Sequence, residues 1–272
     1  MNLNYKISNN KDKEWYMCKH HFHEYHEILL SLSDAGSLFA ENNLYPLKRG
    51  TLMLFKSSCL HKTIANECNL YERYVVHFAK DTLCKISTPQ TDFLYLLNHS
   101  NHCIQLEDDE IKGLINLLEK CNLPESEAFG DDIKRKIAFI EFLLRVCTLL
   151  ESKKWIDASN SPDFSKMAPI IEYIRANLDK TLNLDSISKH FFISKYHLSR
   201  TFKAATGFNV VDYIINCRIL KAKELLRQGY SVQSAGEHSG FNNNAHFIRT
   251  FGKLTGISPG RYMKKYREGN KQ

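Results

Sequence analysis

The chain has 272 residues, of which 43% are hydrophobic, 25% charged and 11% aromatic, with a formal charge of +7. This is the composition of a packed globular protein, which excludes disordered, collagen-like and low-complexity classes. The length suits two domains of ordinary size or one large barrel. No apolar run approaches the ~20 residues that cross a bilayer, and Met1–Lys6 lacks the apolar core of a secretory signal. A cytoplasmic protein with no membrane partner is expected. The eight cysteines are widely spaced, with no CxxC pair, so they read as small buried hydrophobes and not as a thiolate zinc site.

Short β-rich runs come first. Ile28–Leu32, Gly50–Phe55 and Tyr71–Phe78 are separated by turn signals at Asn42-Asn43 and Lys48-Arg49-Gly50, a spacing that predicts an all-β sandwich or barrel. After residue 106 the period changes to that of a helix. Glu107–Lys120 places Ile111, Leu114, Ile115 and Leu118 on one face, and Asp131–Glu151 does the same with Ile133, Ile137, Ile140, Leu144 and Cys147. The second helix also carries Phe139, Phe142, Leu143, Val146 and Leu149 on its other faces. So much apolar surface points either to a dimer interface, with Leu143 or Phe139 outward, or to a helix enclosed in its own domain. The polar, proline-containing stretch 157–165 then reads as a linker.

Charge divides the chain at the same place. Residues 161–272 hold 18 Lys/Arg against 8 Asp/Glu, net +10, and the first 160 residues are net −3. A basic unit joined to a mildly acidic one suggests that only the second meets a polyanion, the alternative being a solvated basic face.

The basic half contains a repeat. Arg200-Thr201-Phe202-x3-Thr206-Gly207-x5-Tyr213 recurs 49 residues later as Arg249-Thr250-Phe251-x3-Thr255-Gly256-x5-Tyr262. One supersecondary unit is therefore used twice. In the first, a short helix with Leu184, Ile187 and Phe191 turns through Ile193-Ser194. A second helix then directs Lys195, Tyr196, Ser199, Arg200 and Lys203 outward. In the second, Gly240-Phe241 makes the turn, and Asn243, Asn244, His246 and Arg249 face out. Two short helices with a basic, hydrogen-bonding outer face on the second form a helix-turn-helix. The helix between the units, Val210–Arg227, spans ~27 Å, of the order of the ~34 Å between successive major grooves on one face of DNA.

The segment from about Met167 to Tyr266 resembles the DNA-binding domain of the AraC/XylS family of bacterial transcription regulators. The resemblance is carried by Ile187-Ser188, Leu198–Lys203, Gly207, Tyr213, Arg218, Leu225-Leu226, Gly240-Phe241, Phe247, Thr255–Pro259 and Tyr262. Residues 21–28, 47–50 and 60–61 more loosely resemble that family's cupin-like sensory domain, closest to its sugar-responsive members, rhamnose regulators among them. The resemblance implies a cupin-like ligand-binding barrel over 1–106, a helical dimerisation segment of the same domain over 107–156, and a double helix-turn-helix DNA-binding domain over 166–272. The implied partners are double-stranded DNA, a small-molecule effector of sugar type, RNA polymerase and a second copy of the chain. The implied function is that of a ligand-responsive transcription regulator, an activator and not an enzyme.

Candidate effector contacts are His21, His23, Glu27, Phe55, His61 and Tyr74. His21, His23, Glu27 and His61 also have the spacing of a cupin metal site. A cupin metalloenzyme with an appended DNA-binding domain is therefore the second reading, and a ligand-independent regulator the third. In the DNA-binding half, Ala235-Gly236 stands where the family has Ile-Ala. Gly252 and Met263 replace a usual lysine and arginine. A weaker second unit is expected, because glycine costs a helix ~1 kcal/mol relative to alanine.

Overall fold

The computed structural model describes residues 3–12, 24–40, 42–65, 70–98, 102–123, 128–156 and 162–269. The chain forms two compact units, Met1–Ser159 and Asn160–Gln272.

The first unit holds β1 (Tyr5–Asp12), β2 (His26–Ser31), β3 (Gly36–Ala40), β4 (Asn43–Leu47), β5 (Thr51–Phe55), β6 (His61–Ala65), β7 (Tyr71–Phe78), α1 (Lys80–Ile86), α2 (Phe93–Asn98), β8 (His102–Gln105), α3 (Asp108–Cys121) and α4 (Asp131–Ser152). The strands make a five-stranded sheet, order β1-β7-β2-β5-β8, and a three-stranded sheet, order β4-β3-β6. Every pairing is antiparallel. Among the described residues no strand pairing closes the two sheets into a continuous barrel. The described residues thus show the expected β domain as two sheets packed on each other.

The large sheet is covered on both faces, which is why β2 and β5 read as continuous apolar runs without alternation. Ile28, Leu30, Leu52, Leu54, Tyr74, Val76 and Phe78 share a core with α3 and α4. Leu29, Met53, Phe55 and Tyr71, on the other face, pack with Leu38, Ala40, Tyr45 and Leu47 of the small sheet. Gly50 enters β5 with φ 84°, and a Cβ there would come within 2.7 Å of the Leu106 carbonyl oxygen. Only glycine meets both conditions.

On α4 the structure reverses one expectation. Phe139, Phe142, Leu143 and Val146 are fully buried in the first unit's own core. The outward stripe is instead Ile133, Ile137 and Leu144, which are 51%, 57% and 44% exposed. Sequence alone shows two apolar faces; the one that carries both Phe139 and Phe142 fills the core, since aromatic rings bury the most area. Cys59, Cys103, Cys121, Cys147 and Cys217 are buried free thiols, as the spacing suggests, and Cys84 is exposed. Burial pushes the thiols of Cys103, Cys121 and Cys147 up to about 12, so they are unreactive.

The second unit is all helix: α5 (Pro162–Ala176), α6 (Leu184–His190), α7 (Lys195–Thr206), α8 (Val210–Arg227), α9 (Val232–His238), α10 (Asn244–Thr255) and α11 (Pro259–Gly269). The stretch expected as a linker already turns helical at Pro162, a residue whose fixed φ suits a first turn. The helices α6, α7, α8, α9 and α10 are each N-capped by a side chain, from Asn183, Ser194, Asn209, Ser231 and Asn243 in turn. Each cap satisfies one of the backbone N–H groups left unpaired at a helix start.

Candidate functional site

The repeated sequence has a physical content that the structure makes plain. In the first unit Thr206 Oγ1 donates to the Phe202 carbonyl at 2.7 Å and accepts from the Phe208 N–H at 3.1 Å. In the second, Thr255 Oγ1 donates to the Phe251 carbonyl at 2.8 Å and accepts from the Ile257 N–H at 3.4 Å. Each threonine thus ties the end of one helix to the approach of the next. Gly207 and Gly256 follow at φ 74° and 77° and stop α7 and α10 in the left-handed conformation. Phe202 then meets Tyr213 edge-on at 5.4 Å, and Phe251 meets Tyr262 at 5.5 Å. The inward side of each repeat fixes its frame, leaving the outward side free for recognition.

On that outward side α7 presents Lys195, Tyr196, Arg200 and Lys203 as exposed residues, with Ser199 half-buried. Lys195 pairs with Asp185 at 2.7 Å across the α6–α7 turn, an exposed ion pair of small net worth. On α10, Asn243, Asn244, His246 and Arg249 are exposed. Asn243 also accepts from the His246 N–H at 2.8 Å as the helix cap, so its side chain has a structural task as well. Each helix carries its set on one face because the inward positions, Leu198 and Phe202 or Phe247 and Phe251, are buried at helical spacing.

Two supports were not read from the sequence. Arg218 on α8 donates to the carbonyls of Leu178 at 3.0 Å and Lys180 at 2.8 Å, fastening the loop before α6. Gly236 is buried in α9 because a Cβ there would lie 2.8 Å from Cδ1 of the buried Phe247 ring. The glycine read as a weakness thus makes room for the core of the second unit. Helix propensity is overridden by close packing.

The first unit offers a second candidate site between its sheets. Glu27 of β2 is buried, with its carboxylate 3.0 Å from His77 Nε2 and 3.5 Å from His61 Nε2. His61 Nδ1 lies 3.1 Å from the Cys59 carbonyl oxygen, and its ring stacks on Phe55 at 4.1 Å. Burial alone would lower the His61 pKa, but the Glu27 charge and hydrogen bond, with the Cys59 carbonyl, hold it above its ordinary value.

Glu27, Phe55 and His61 are therefore brought together, as the sequence reading expects. Tyr74 is not. It lies on the opposite face of the large sheet, in the core shared with α3 and α4, because β7 alternates its side chains. The same alternation puts His77 beside Glu27, a partner the sequence reading missed although the period of two was visible. His21 and His23 lie outside the described residues.

Residues 187–265 match the family described as "Helix-turn-helix domain". The chain is 28% identical over 260 residues to an uncharacterised HTH-type transcriptional regulator, YfiF, of Bacillus subtilis, covering 91% of this chain and 79% of that protein. It is 23% identical over 266 residues to the HTH-type transcriptional activator RhaS of Escherichia coli O157:H7, covering 92% and 88%. Among solved structures, ToxT from Vibrio cholerae aligns over 95% of this chain and 97% of that one, at 15% identity and a TM-score of 0.38.

Proposed function

We infer that the chain is a DNA-binding transcription regulator of the AraC/XylS family, and from that premise its two units divide the work. The second unit reads two successive major-groove segments of one duplex, α7 in the first and α10 in the next. Arg200 and Arg249 suit bidentate contact to guanine O6 and N7. Lys195, Tyr196, Ser199, Lys203, Asn243, Asn244 and His246 supply phosphate and base-edge contacts. What supports this reading is the duplicated frame: two helices of 12 residues, each capped, stopped by a left-handed glycine and pinned by the same Phe–Tyr pair.

The first unit takes a small molecule of sugar type between its sheets. Glu27, His61 and His77 are buried polar groups suited to hydroxyls, and Phe55 supplies the apolar wall that such sites need. His21 and His23 belong to the same set by sequence. No resident cofactor and no enzymatic step enter this reading. A second copy of the chain covers the Ile133, Ile137 and Leu144 stripe of α4, whose 4-residue first step and 7-residue second step match a coiled-coil seam. The protein acts in the cytoplasm as an activator, touching RNA polymerase once on its operator. An effector would shift the regulator only by binding one arrangement of the dimer more tightly than the other.

Thermal melting over a panel of monosaccharides tests the effector. A true ligand at 100 times its Kd adds ~2.7 kcal/mol, and Glu27→Gln abolishes the shift. A panel with no shift, or a shift that survives in Glu27→Gln, contradicts the assignment of this site.

A further inference from the structure

The two helix-turn-helix bends are built alike, and one of them contains a residue that its geometry disfavours. After α6, the Phe192 N–H donates to the Lys189 carbonyl at 3.3 Å, and the Ile193 N–H to the Ser188 carbonyl at 3.0 Å. After α9, the Gly240 N–H donates to the Glu237 carbonyl at 2.9 Å, and the Phe241 N–H to the Gly236 carbonyl at 3.0 Å. Both are the same paired closure of a helix end, whose central residue must be left-handed and is usually glycine. The second bend has Gly240 at φ 96°, where a Cβ would lie 1.8 Å from the Leu178 carbonyl oxygen. In the first bend the residue is Phe192, at φ 54° and 95% exposed. A bulky side chain in the left-handed region is strained, and its ring here gains no burial in return.

The neighbouring ring behaves oppositely. Phe191 turns inward, edge-on to Tyr173 at 5.5 Å and to His190 at 4.9 Å. The left-handed bend is what throws Phe192 outward on the next residue. One residue separates it from Ser194, the cap of α7, and Tyr196 follows at 75% exposure. Lys189 and Lys195, three residues to either side in sequence, are exposed, and Lys195 is paired with Asp185. An exposed apolar ring at the entrance to the helix read above as a recognition helix is placed to meet DNA and not a protein core. Strain retained at an exposed position is a recurring mark of a binding residue.

We propose that Phe192 is a DNA-contacting residue, its ring packing on an apolar edge of the duplex beside the segment read by α7. The surface it meets is a thymine 5-methyl group or a deoxyribose. The inference rests on the assignment of α7 as a recognition helix, and the experiment separates the two.

The probe is a duplex selected by the full-length chain from a randomised 40-bp pool. Phe192→Gly relieves the strained bend, so its melting temperature should equal or exceed that of the parent. Its affinity for the selected duplex should fall about tenfold, within the range of a single specific contact. The slope of affinity against salt should not change, because an apolar contact releases no counterions. Replacing thymines one at a time by deoxyuridine then identifies the surface. One position that weakens the parent but not Phe192→Gly marks the methyl group; no such position marks the sugar. Phe192→Asn, which also tolerates the left-handed bend, repeats the measurement should the glycine variant fail to fold. Unchanged affinity in a folded variant overturns the proposal, including the case where only transcription in the presence of RNA polymerase falls. Arg200→Ala is the control for the underlying reading: if it too leaves affinity unchanged, the assignment of α7 fails, and not merely that of Phe192.

Discussion

His61 is the residue whose environment is easiest to test. Its pKa is held above the ordinary value, against the pull of burial, by Glu27 and the Cys59 carbonyl. A histidine with a raised folded pKa adds stability that is fully present below its unfolded pKa of ~6.5, and that stability is lost as pH rises through the folded value. The urea midpoint of the first unit should therefore drop across that window in the parent and flatten in His61→Gln. An equal slope in both proteins would mean that the imidazolium is not held by Glu27. In the second unit, Arg200→Ala and Arg249→Ala should each remove ~1–3 kcal/mol of specific affinity. The larger loss is expected for Arg200, since the second helix-turn-helix, with Gly252 and Met263, is expected to make fewer phosphate contacts than the first. Titration of both variants on one operator at fixed salt checks the asymmetry, and equal losses would remove it.

At the scale of single elements, packing decides where propensity misleads. Gly236→Ala should improve α9 by ~1 kcal/mol on helix propensity alone. The space is not there, because the added Cβ would press on the buried Phe247 ring. Overpacking of this kind costs ~1–3 kcal/mol, so the melting temperature should fall, and a rise would show that the ring yields freely. The α4 helix makes a parallel case. Leu143→Glu buries a charge in the core and should unfold the first unit. Ile137→Glu should leave a folded chain that sediments as a monomer, and a folded dimer would place the interface elsewhere.

These two elements also show what the sequence could and could not reveal. The repeat was legible because Phe202, Thr206, Gly207 and Tyr213 each have an inflexible geometric task that recurs with the same spacing. The faces of α4 were not, since a helix apolar on two sides carries no internal signal of which side meets the core. Glu27 and His61 were placed together by their motif, and Phe55 was added as an aromatic face. Tyr74 was misplaced for want of the strand register, and register is set by pairing partners distant in sequence.

For the molecule as a whole, the charge division and the polar stretch near residue 160 mark the two units, and each has its own core. Residues 162–272 alone should fold and bind DNA with a steep salt dependence. Circular dichroism showing an unfolded fragment would mean that the helical unit leans on the first. Which strand edges pair in the two sheets was not legible, because strand runs show how many strands exist but not which edges meet.

The most direct test of the central claim is hydroxyl-radical footprinting of the chain on a selected duplex, with Arg200→Ala and Arg249→Ala beside the parent. Two protected segments on one face of the duplex, separated by about one helical turn of ~10–10.5 bp, are expected. Each variant should weaken one segment and spare the other. A single protected segment, or two segments that fade together in both variants, would contradict a regulator that reads DNA through two separate helix-turn-helix units.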